Sequence, residues 1–107
     1  MSNIKQIPVN IVIVGATGAV GLELMKLLNQ NKYFHFTTLR LLASKGSVGK
    51  SYTINNTPYV VEELCDNSFD NMSKLDGLNI AIFSIDSVLS EQYVPHAKKS
   101  CIVIDNS

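Results

Sequence analysis

Short apolar runs and amphipathic stretches alternate along the chain, which predicts strands that alternate with helices. Residues 10–14 (NIVIV) are mostly β-branched and lack polar alternation, which is typical of a strand buried on both faces of a parallel sheet. From Gly18 to Asn31, apolar residues recur at helical spacing and polar residues occupy the opposite side, so an amphipathic helix is predicted. The run 37–43 (TTLRLLA) predicts a second strand.

The middle of the chain predicts a loop followed by a β-hairpin. Residues 44–50 (SKGSVGK) form a small, basic segment that is typical of a loop. Short strands are predicted at 51–54 and 59–61, on either side of an Asn-Asn-Thr-Pro turn. This hairpin is an insert in the alternation of strands and helices.

The alternation resumes toward the end of the chain. Apolar runs at 79–83 (NIAIF) and 101–104 (CIVI) predict strands, and residues 90–99 predict a helix that Pro95 kinks or restarts. Strands joined by helices imply a parallel sheet with right-handed crossovers and a ligand at the carboxyl ends of the strands. The predicted fold class is therefore α/β: a Rossmann-like parallel sheet with flanking helices and a small β-hairpin insert.

Length and composition limit the possible functions. A chain of 107 residues suits one domain, so residues 1–107 are predicted to form a single unit, and a multidomain enzyme would need further sequence. The content of 46% hydrophobic and 17% charged residues argues against intrinsic disorder. Nine basic residues balance nine acidic residues without any block of like charge, so neither nucleic acid nor an anionic membrane is an expected partner.

The cysteines and the most apolar stretch add two exclusions. Cys65 and Cys101 show no CxxC or Cys/His spacing, so neither a disulfide framework nor a metal site is predicted, and a reducing, cytoplasmic setting fits best. Polar and glycine residues interrupt residues 7–28 well before the ~20 apolar residues that a membrane span needs. No membrane segment is therefore expected.

The most informative motif is the glycine turn, residues 15–21 (GATGAVG), between the first strand and the first helix. Gly15 permits a tight exit from the strand, Gly18 lets the backbone approach a pyrophosphate, and Gly21 lets the helix pack against the sheet. The free N–H groups of the first helical turn would then face the phosphates. The alternative is a glycine-rich turn without a ligand, but the flanking strand and helix favour dinucleotide binding.

The end of the second strand bears on which dinucleotide binds. An NAD site usually offers an Asp or Glu there to the ribose 2′-OH, and this chain has no acid between the end of that strand and Glu62. Ser44, Lys45 and Ser47 are instead candidate contacts to a 2′-phosphate, which favours NADP(H). The alternative is an ordinary solvated loop.

The same loop raises a different possibility. Residues 44–51 differ from the phosphate-binding GxxxxGK[ST] pattern only at the first position. A P-loop leads directly into a helix, whereas residues 51–58 are β-branched, rich in asparagine and stopped by a proline. The sequence therefore disfavours a nucleoside triphosphatase.

Several motifs occur in a characteristic order between Ile11 and Ser107. They are GATGAVG, LRLLAS with SVGK, IAIFS, Tyr93-Val-Pro95 and the final VIDNS. Together they resemble the amino-terminal part of the aspartate-β-semialdehyde dehydrogenase family. The sister enzyme N-acetyl-glutamyl-phosphate reductase shares the glycine turn, but the loop and the VIDNS ending are more similar to the aspartate enzyme.

The resemblance implies an activity and a set of cofactor contacts. The family reduces β-aspartyl phosphate to the semialdehyde with NADPH, through a cysteine thioester, on the route to lysine, threonine and methionine. Ser44 and Ser47 would lie at the 2′-phosphate, Ser84 would border the cofactor cleft, and Asn106 would lie near the nicotinamide and the substrate. The residues expected to hold the pyrophosphate are Gly15, Thr17, Gly18, Ala19 and Val20.

Two positions depart from the family pattern. Gly46 stands where the family usually has an arginine, so Lys45 supplies at most a point charge to the 2′-phosphate and NAD is an alternative cofactor. Ile85 and Asp86 replace a small Ala-Gly pair and put a bulky side chain and a negative charge beside the expected cofactor site. Asp86 is alternatively a cap for the following helix.

The family's phosphate-binding arginine, nucleophilic cysteine and acid/base histidine would all map beyond Ser107. The chain is therefore expected to be truncated before the catalytic domain, to contain no catalytic residue, and to belong to a longer protein that forms homo-oligomers. The side chains that match no catalytic motif are Cys65, Cys101, His35 and His96.

A non-catalytic NAD(P)-binding sensor module stays open as an alternative, because a fold alone does not fix a function. Short-chain reductases, by contrast, are excluded: they need a Tyr-x-x-x-Lys motif, and none of the four tyrosines has a lysine four residues later.

Overall fold

In the computed structural model, residues 7–30 and 35–106 are described. The strands are β1 (Val9–Val14), β2 (Thr38–Ala43), β3 (Ser51–Ile54), β4 (Thr57–Glu63), β5 (Leu78–Phe83) and β6 (Ile102–Asp105). The helices are α1 (Ala19–Gln30) and α2 (Ser87–Lys98), with short 3-10 turns at Lys45–Ser47 and Met72–Lys74.

The strands form one sheet in the order β3-β4-β2-β1-β5-β6. Every neighbouring pair is parallel except β3 and β4, which are antiparallel. β1 lies at the centre, and the chain crosses from one side of it to the other after the hairpin. The predicted α/β, Rossmann-like architecture is confirmed, and β4 joins the hairpin to the main sheet by pairing with β2.

Each face of the sheet has its own core, which explains the continuous apolar run of β1. Ile11 and Ile13 are buried on the face covered by Met25 of α1. Val12 and Val14 are buried on the opposite face, against Ala97 of α2 and Phe69 from the segment between β4 and β5. The strand is therefore buried on both faces, as parallel strands are when helices cover both sides.

The boundaries of α2 and of the hairpin turn differ from the sequence-based expectation. α2 begins at Ser87, three residues before the predicted start, because the Asp86 carboxylate accepts a hydrogen bond from the Leu89 N–H and caps the helix there. The helix runs through Pro95 without a restart. Asn55 and Asn56 alone form the hairpin turn, with φ of 52° and 66°. Residue 31, the predicted end of α1, lies outside the described residues.

A buried polar network joins the amino-terminal halves of β2, β1 and β5. The Asn10 amide donates to the Asp76 carbonyl and to Asn79 Oδ1, each at 2.9 Å. Thr38 Oγ1 donates to Asn10 Oδ1 at 2.8 Å. Because Asn10 is only 2% exposed, these bonds replace water at the end of the sheet opposite the glycine turn.

Neither helix in the described part of the chain has the length and apolar character that crossing a membrane requires.

Candidate functional site

The glycine turn between β1 and α1 is fixed by contacts with both neighbouring strands. Gly15 has a φ of +89°, which favours glycine, and its N–H donates to the Leu42 carbonyl of β2 at 2.8 Å. A Cβ at Gly15 would lie 2.6 Å from the Ser84 carbonyl oxygen after β5. Only glycine fits here, because the backbone is both left-handed and closely packed.

The other two glycines of the turn differ in what surrounds them. A Cβ at Gly21 would lie 2.2 Å from the Gly15 carbonyl oxygen, so this glycine lets α1 pack against the turn. A Cβ at Gly18 would have only an ordinary contact, 3.5 Å from the same oxygen. The chain's own packing therefore requires Gly21 but not Gly18, and the lack of a side chain at Gly18 lets a phosphate approach the backbone closely.

The amino terminus of α1 is open to an anion. Its first turn carries no acidic residue. The Leu22 N–H is the donor to the Gly18 carbonyl, at 2.9 Å. The N–H groups of Ala19, Val20 and Gly21 belong to the first helical turn. Because no helical turn precedes it, these N–H groups have no carbonyl of the helix to which they can donate. Such a terminus favours phosphate through its N–H groups and the helix dipole.

A cavity of about 330 Å³ opens beside this turn, at the carboxyl ends of β1, β2 and β5. This volume lies at the lower end of the range for small-molecule sites. The residues that line the cavity are Gly15, Thr17, Gly18, Ala43, Ser44, Leu64, Ser84, Ile85, Leu89 and Tyr93.

Half of the residues predicted to contact a cofactor therefore line one cavity. The remaining five lie around it or at the edge of the sheet. Ala19 and Val20 follow in the first turn of α1, and Lys45 and Ser47 belong to the 3-10 turn after β2. Asn106 follows β6 with an exposed side chain, and its N–H donates to the Phe83 carbonyl at 2.9 Å.

The loop after β2 is tied to the glycine turn by a pair of hydroxyls. Thr17 Oγ1 and Ser47 Oγ lie 3.1 Å apart and share a hydrogen bond. Ser44 and Lys45 are exposed beside this pair, and a Cβ at Gly46 would meet no atom within 4 Å. The loop thus presents hydroxyls and the Lys45 side chain to solvent next to the cavity.

Ser84 ties the end of β5 to the end of β1. Its hydroxyl donates to the Val14 carbonyl at 3.1 Å, and its N–H donates to the same carbonyl at 2.9 Å. The hydroxyl proton is thereby engaged, so toward a ligand this side chain can offer an acceptor.

The apolar wall of the cavity was not predicted from the sequence, apart from Ile85, which was expected beside the cofactor site. It comprises Leu64 after β4, Ile85 after β5, and Leu89 with Tyr93 on α2. Leu89 and Tyr93 are four residues apart and so share one face of the helix. That spacing is a signal in the sequence, but the choice of the face that meets the cavity depends on how α2 docks.

The alternative sites considered from the sequence find no support in the geometry. The segment 44–51 leads into β3 rather than into a helix, which excludes the P-loop reading.

Cys65 is exposed, and Cys101 Sγ lies 3.5 Å from Met72 Sδ, where burial raises the pKa of the thiol. His96 Nε2 lies 3.7 Å from Asp66 Oδ1. In the described ranges, no group of three or more His, Cys, Asp or Glu residues could hold a metal.

Comparison with known proteins assigns the family. The model of the semialdehyde dehydrogenase NAD-binding domain matches residues 10–107. This chain belongs to that family. A semialdehyde dehydrogenase NAD-binding domain implies a dinucleotide as its small-molecule partner, and nothing in the comparisons favours the sensor module or the N-acetyl-glutamyl-phosphate reductase.

Relatives of this NAD-binding domain are similar over nearly the whole chain. Aspartate-semialdehyde dehydrogenase of Bacillus subtilis is 39% identical over 99 residues, which are 92% of this chain and 27% of that protein. The enzyme of Campylobacter jejuni is 41% identical over 98 residues. The crystal structure of aspartate semialdehyde dehydrogenase II from Vibrio cholerae, complexed with ASA, superimposes with a TM-score of 0.75 at 37% identity, covering 91% of this chain and 30% of that one. The chain thus spans about 27% of the length of the curated relatives it matches.

Proposed function

We propose that residues 1–107 are the NADP(H)-binding domain of an aspartate-semialdehyde dehydrogenase, the enzyme class that reductively dephosphorylates β-aspartyl phosphate. The observation that carries this proposal is that packing within the chain would tolerate a Cβ at Gly18, beside the open amino terminus of α1. A glycine that the chain's own packing does not require is explained by a ligand whose phosphates lie against the backbone.

Each part of the site has a distinct task in this proposal. Gly15, Thr17 and Gly18, with the N–H groups of Ala19 and Val20, hold the pyrophosphate. Ser84 and Asn106, at the ends of β5 and β6, border the nicotinamide half of the cofactor. When bound, the cofactor supplies the hydride of the reaction. The apolar wall excludes water from the cavity, and no described residue has a catalytic role.

The preference for NADP(H) over NAD(H) rests on the loop after β2. Ser44, Lys45 and Ser47 offer hydroxyls and a positive charge to a 2′-phosphate. The first carboxylate after β2 belongs to Glu62, which binds Arg40 at 3.0 Å. The loop itself therefore contains no acid for the ribose 2′-OH, although Lys45 binds phosphate less specifically than an arginine would.

A thermal melt with NADPH and with NADH tests this assignment. A ligand at about 100 times its dissociation constant stabilises a protein by about 2.7 kcal/mol. We expect a larger rise in Tm with NADPH than with NADH, and we expect Gly18→Val to abolish both. Equal shifts would reject the preference for NADP(H), and a cooperative melt that neither dinucleotide moves would reject the whole proposal.

The proposal extends to the protein that contains this domain. That protein would be a cytoplasmic homo-oligomer of the lysine, threonine and methionine pathways, with free thiols that suit a reducing compartment. Expression of the complete protein in a bacterium that lacks aspartate-semialdehyde dehydrogenase should restore growth without these amino acids. Failure of the expressed, folded protein to do so would reject this substrate.

A further inference from the structure

Charged groups are distributed unevenly along the carboxyl edge of the sheet. The loop after β2 carries Lys45 and Lys50, both exposed, and no acid. At the other end of the same edge, Asp86 follows β5 and Asp105 ends β6. Close to the glycine turn, the loop after β2 is thus positive and the residues at the ends of β5 and β6 are negative, while Glu62 and Glu63 end β4 on the far side of β2 from the turn.

Asp86 lies at the rim of the cavity in a fixed position. Its chain neighbour Ile85 lines the cavity, and so does Leu89, whose N–H donates to Asp86 Oδ1 at 3.0 Å. The Ser90 N–H donates to the Asp86 carbonyl, also at 3.0 Å. The carboxylate therefore accepts a hydrogen bond from a residue of the cavity wall, and the helix that it caps holds it in place.

The amino termini of α1 and α2, both at this cavity, differ in whether an acidic side chain caps them. The terminus of α1 has no acidic residue in its first turn, whereas the terminus of α2 is already satisfied by the carboxylate of Asp86. A second negative group at α2 would be repelled. The pyrophosphate of a dinucleotide is therefore directed to α1, and the part of the ligand on the α2 side must be neutral or positive.

The topology identifies that part of the ligand. In this fold the dinucleotide lies across the point where the strand order reverses, with its adenosine half beside the second strand and the other half on the opposite side of the glycine turn. Here the opposite side is β5 and the start of α2. The nicotinamide ring, which is positively charged when oxidised and neutral when reduced, therefore lies on the side of Asp86.

We propose that Asp86 makes this domain favour the oxidised dinucleotide over the reduced one. This inference rests on the proposed function, because it needs a nicotinamide cofactor in the cavity. The negative charge of the exposed Asp86 carboxylate attracts the positive charge of the oxidised ring. The reduced ring is neutral and is not attracted in this way. Interactions between exposed charges are weak and are screened by salt, so the expected effect is roughly a two- to fivefold change in relative affinity.

The test compares the dissociation constants of NADP⁺ and NADPH for the protein and for Asp86→Asn. Asparagine caps a helix about as well as aspartate, so this variant removes the charge and keeps the cap. The matched control is Glu91→Gln, which removes one negative charge from the same helix at an exposed residue that does not line the cavity. Calorimetric titrations at low and at high salt give the four constants for each protein.

We expect Asp86→Asn to weaken NADP⁺ binding relative to NADPH by roughly two- to fivefold at low salt, and by less at high salt. Glu91→Gln should leave the ratio unchanged. An unchanged ratio in Asp86→Asn, with both cofactors bound, would overturn the inference and leave the proposed function intact. An equal change in both variants would also overturn it, since the effect would then reflect net charge alone. Binding of neither cofactor to the unaltered protein would overturn the proposed function itself.

Discussion

The hydroxyls of Thr17 and Ser47, 30 residues apart in sequence, lie within 3.1 Å of each other. Thr17 belongs to the turn after β1, and Ser47 belongs to the loop after β2. Their hydrogen bond holds the proposed 2′-phosphate loop against the proposed pyrophosphate turn, so the two halves of the phosphate site are arranged before any ligand enters.

Loss of this bond should weaken NADPH binding more than NADH binding. A hydrogen bond of this kind contributes about 0.5–1.5 kcal/mol, so Ser47→Ala should reduce NADPH affinity by about two- to tenfold. NADH affinity should change less, because NADH has no 2′-phosphate. The measurement is a fluorescence titration, with Ser51→Ala in the adjacent strand β3 as the control. Equal losses for both dinucleotides would show that Ser47 supports the glycine turn and does not contact the 2′-phosphate.

Substitutions at Gly18 and Gly21, the last two glycines of the turn, should affect stability and dinucleotide binding differently. Gly21→Ala places a methyl group against the Gly15 carbonyl oxygen, so it should lower the free energy of unfolding by about 2–4 kcal/mol. Gly18→Ala should cost less than about 1 kcal/mol of stability but weaken dinucleotide binding at least about tenfold. Urea denaturation and cofactor titration measure the two effects. Wild-type binding by a folded Gly18→Ala protein would contradict the phosphate assignment.

The polar network around Asn10 should matter for stability alone. Asn10→Ala removes three hydrogen bonds and leaves partly buried groups on Thr38 and Asn79 without these partners, so we expect a loss of about 2–4 kcal/mol. The exposed Asn67→Ala is the control, with an expected change within about 0.5 kcal/mol. Urea denaturation checks both. A loss as small as that of Asn67→Ala would show that water replaces the network.

Cys101 should make stability fall in alkaline solution. Burial raises the pKa of its thiol above the ordinary value of 9.0, although the nearby Arg40 charge opposes the shift. Because unfolding favours the thiolate, the contribution of Cys101 is fully present below the ordinary pKa and is lost as the pH rises through the higher folded pKa. Unfolding measured from pH 8 upward should therefore be less pH-dependent in Cys101→Ala than in the unaltered protein. Cys65→Ser, at an exposed thiol, should leave the pH dependence unchanged.

The central strand and the glycine turn are the parts that the sequence predicted most fully. The apolar run of β1 and the spacing of three glycines are local signals. Burial on both sheet faces accounts for the run, and close backbone packing accounts for Gly15 and Gly21. β4 was predicted at 59–61 only, whereas it extends over Thr57–Glu63. Proline and glutamate are unusual in strands, but Glu62 is stabilised there by its bond to Arg40 of β2.

The apolar half of the site was beyond local patterns because it depends on tertiary docking. Leu64, Leu89 and Tyr93 come from two separate elements, and they meet only because α2 packs beside β5 and β6. The cap at Asp86 was considered from the sequence, and its hydrogen bond to Leu89 confirms it. The polar contacts assigned to the cofactor stay predictions until a dinucleotide is titrated.

The lack of packing around Gly46 affects which substitutions the domain can accept during evolution. A Cβ at this position would meet no atom within 4 Å, and no left-handed backbone has to be preserved there. A glycine codon becomes an arginine codon by a single nucleotide change. A lineage that carries this domain can therefore gain or lose a guanidinium beside the proposed 2′-phosphate site in one step, with no compensating substitution in the rest of the sheet.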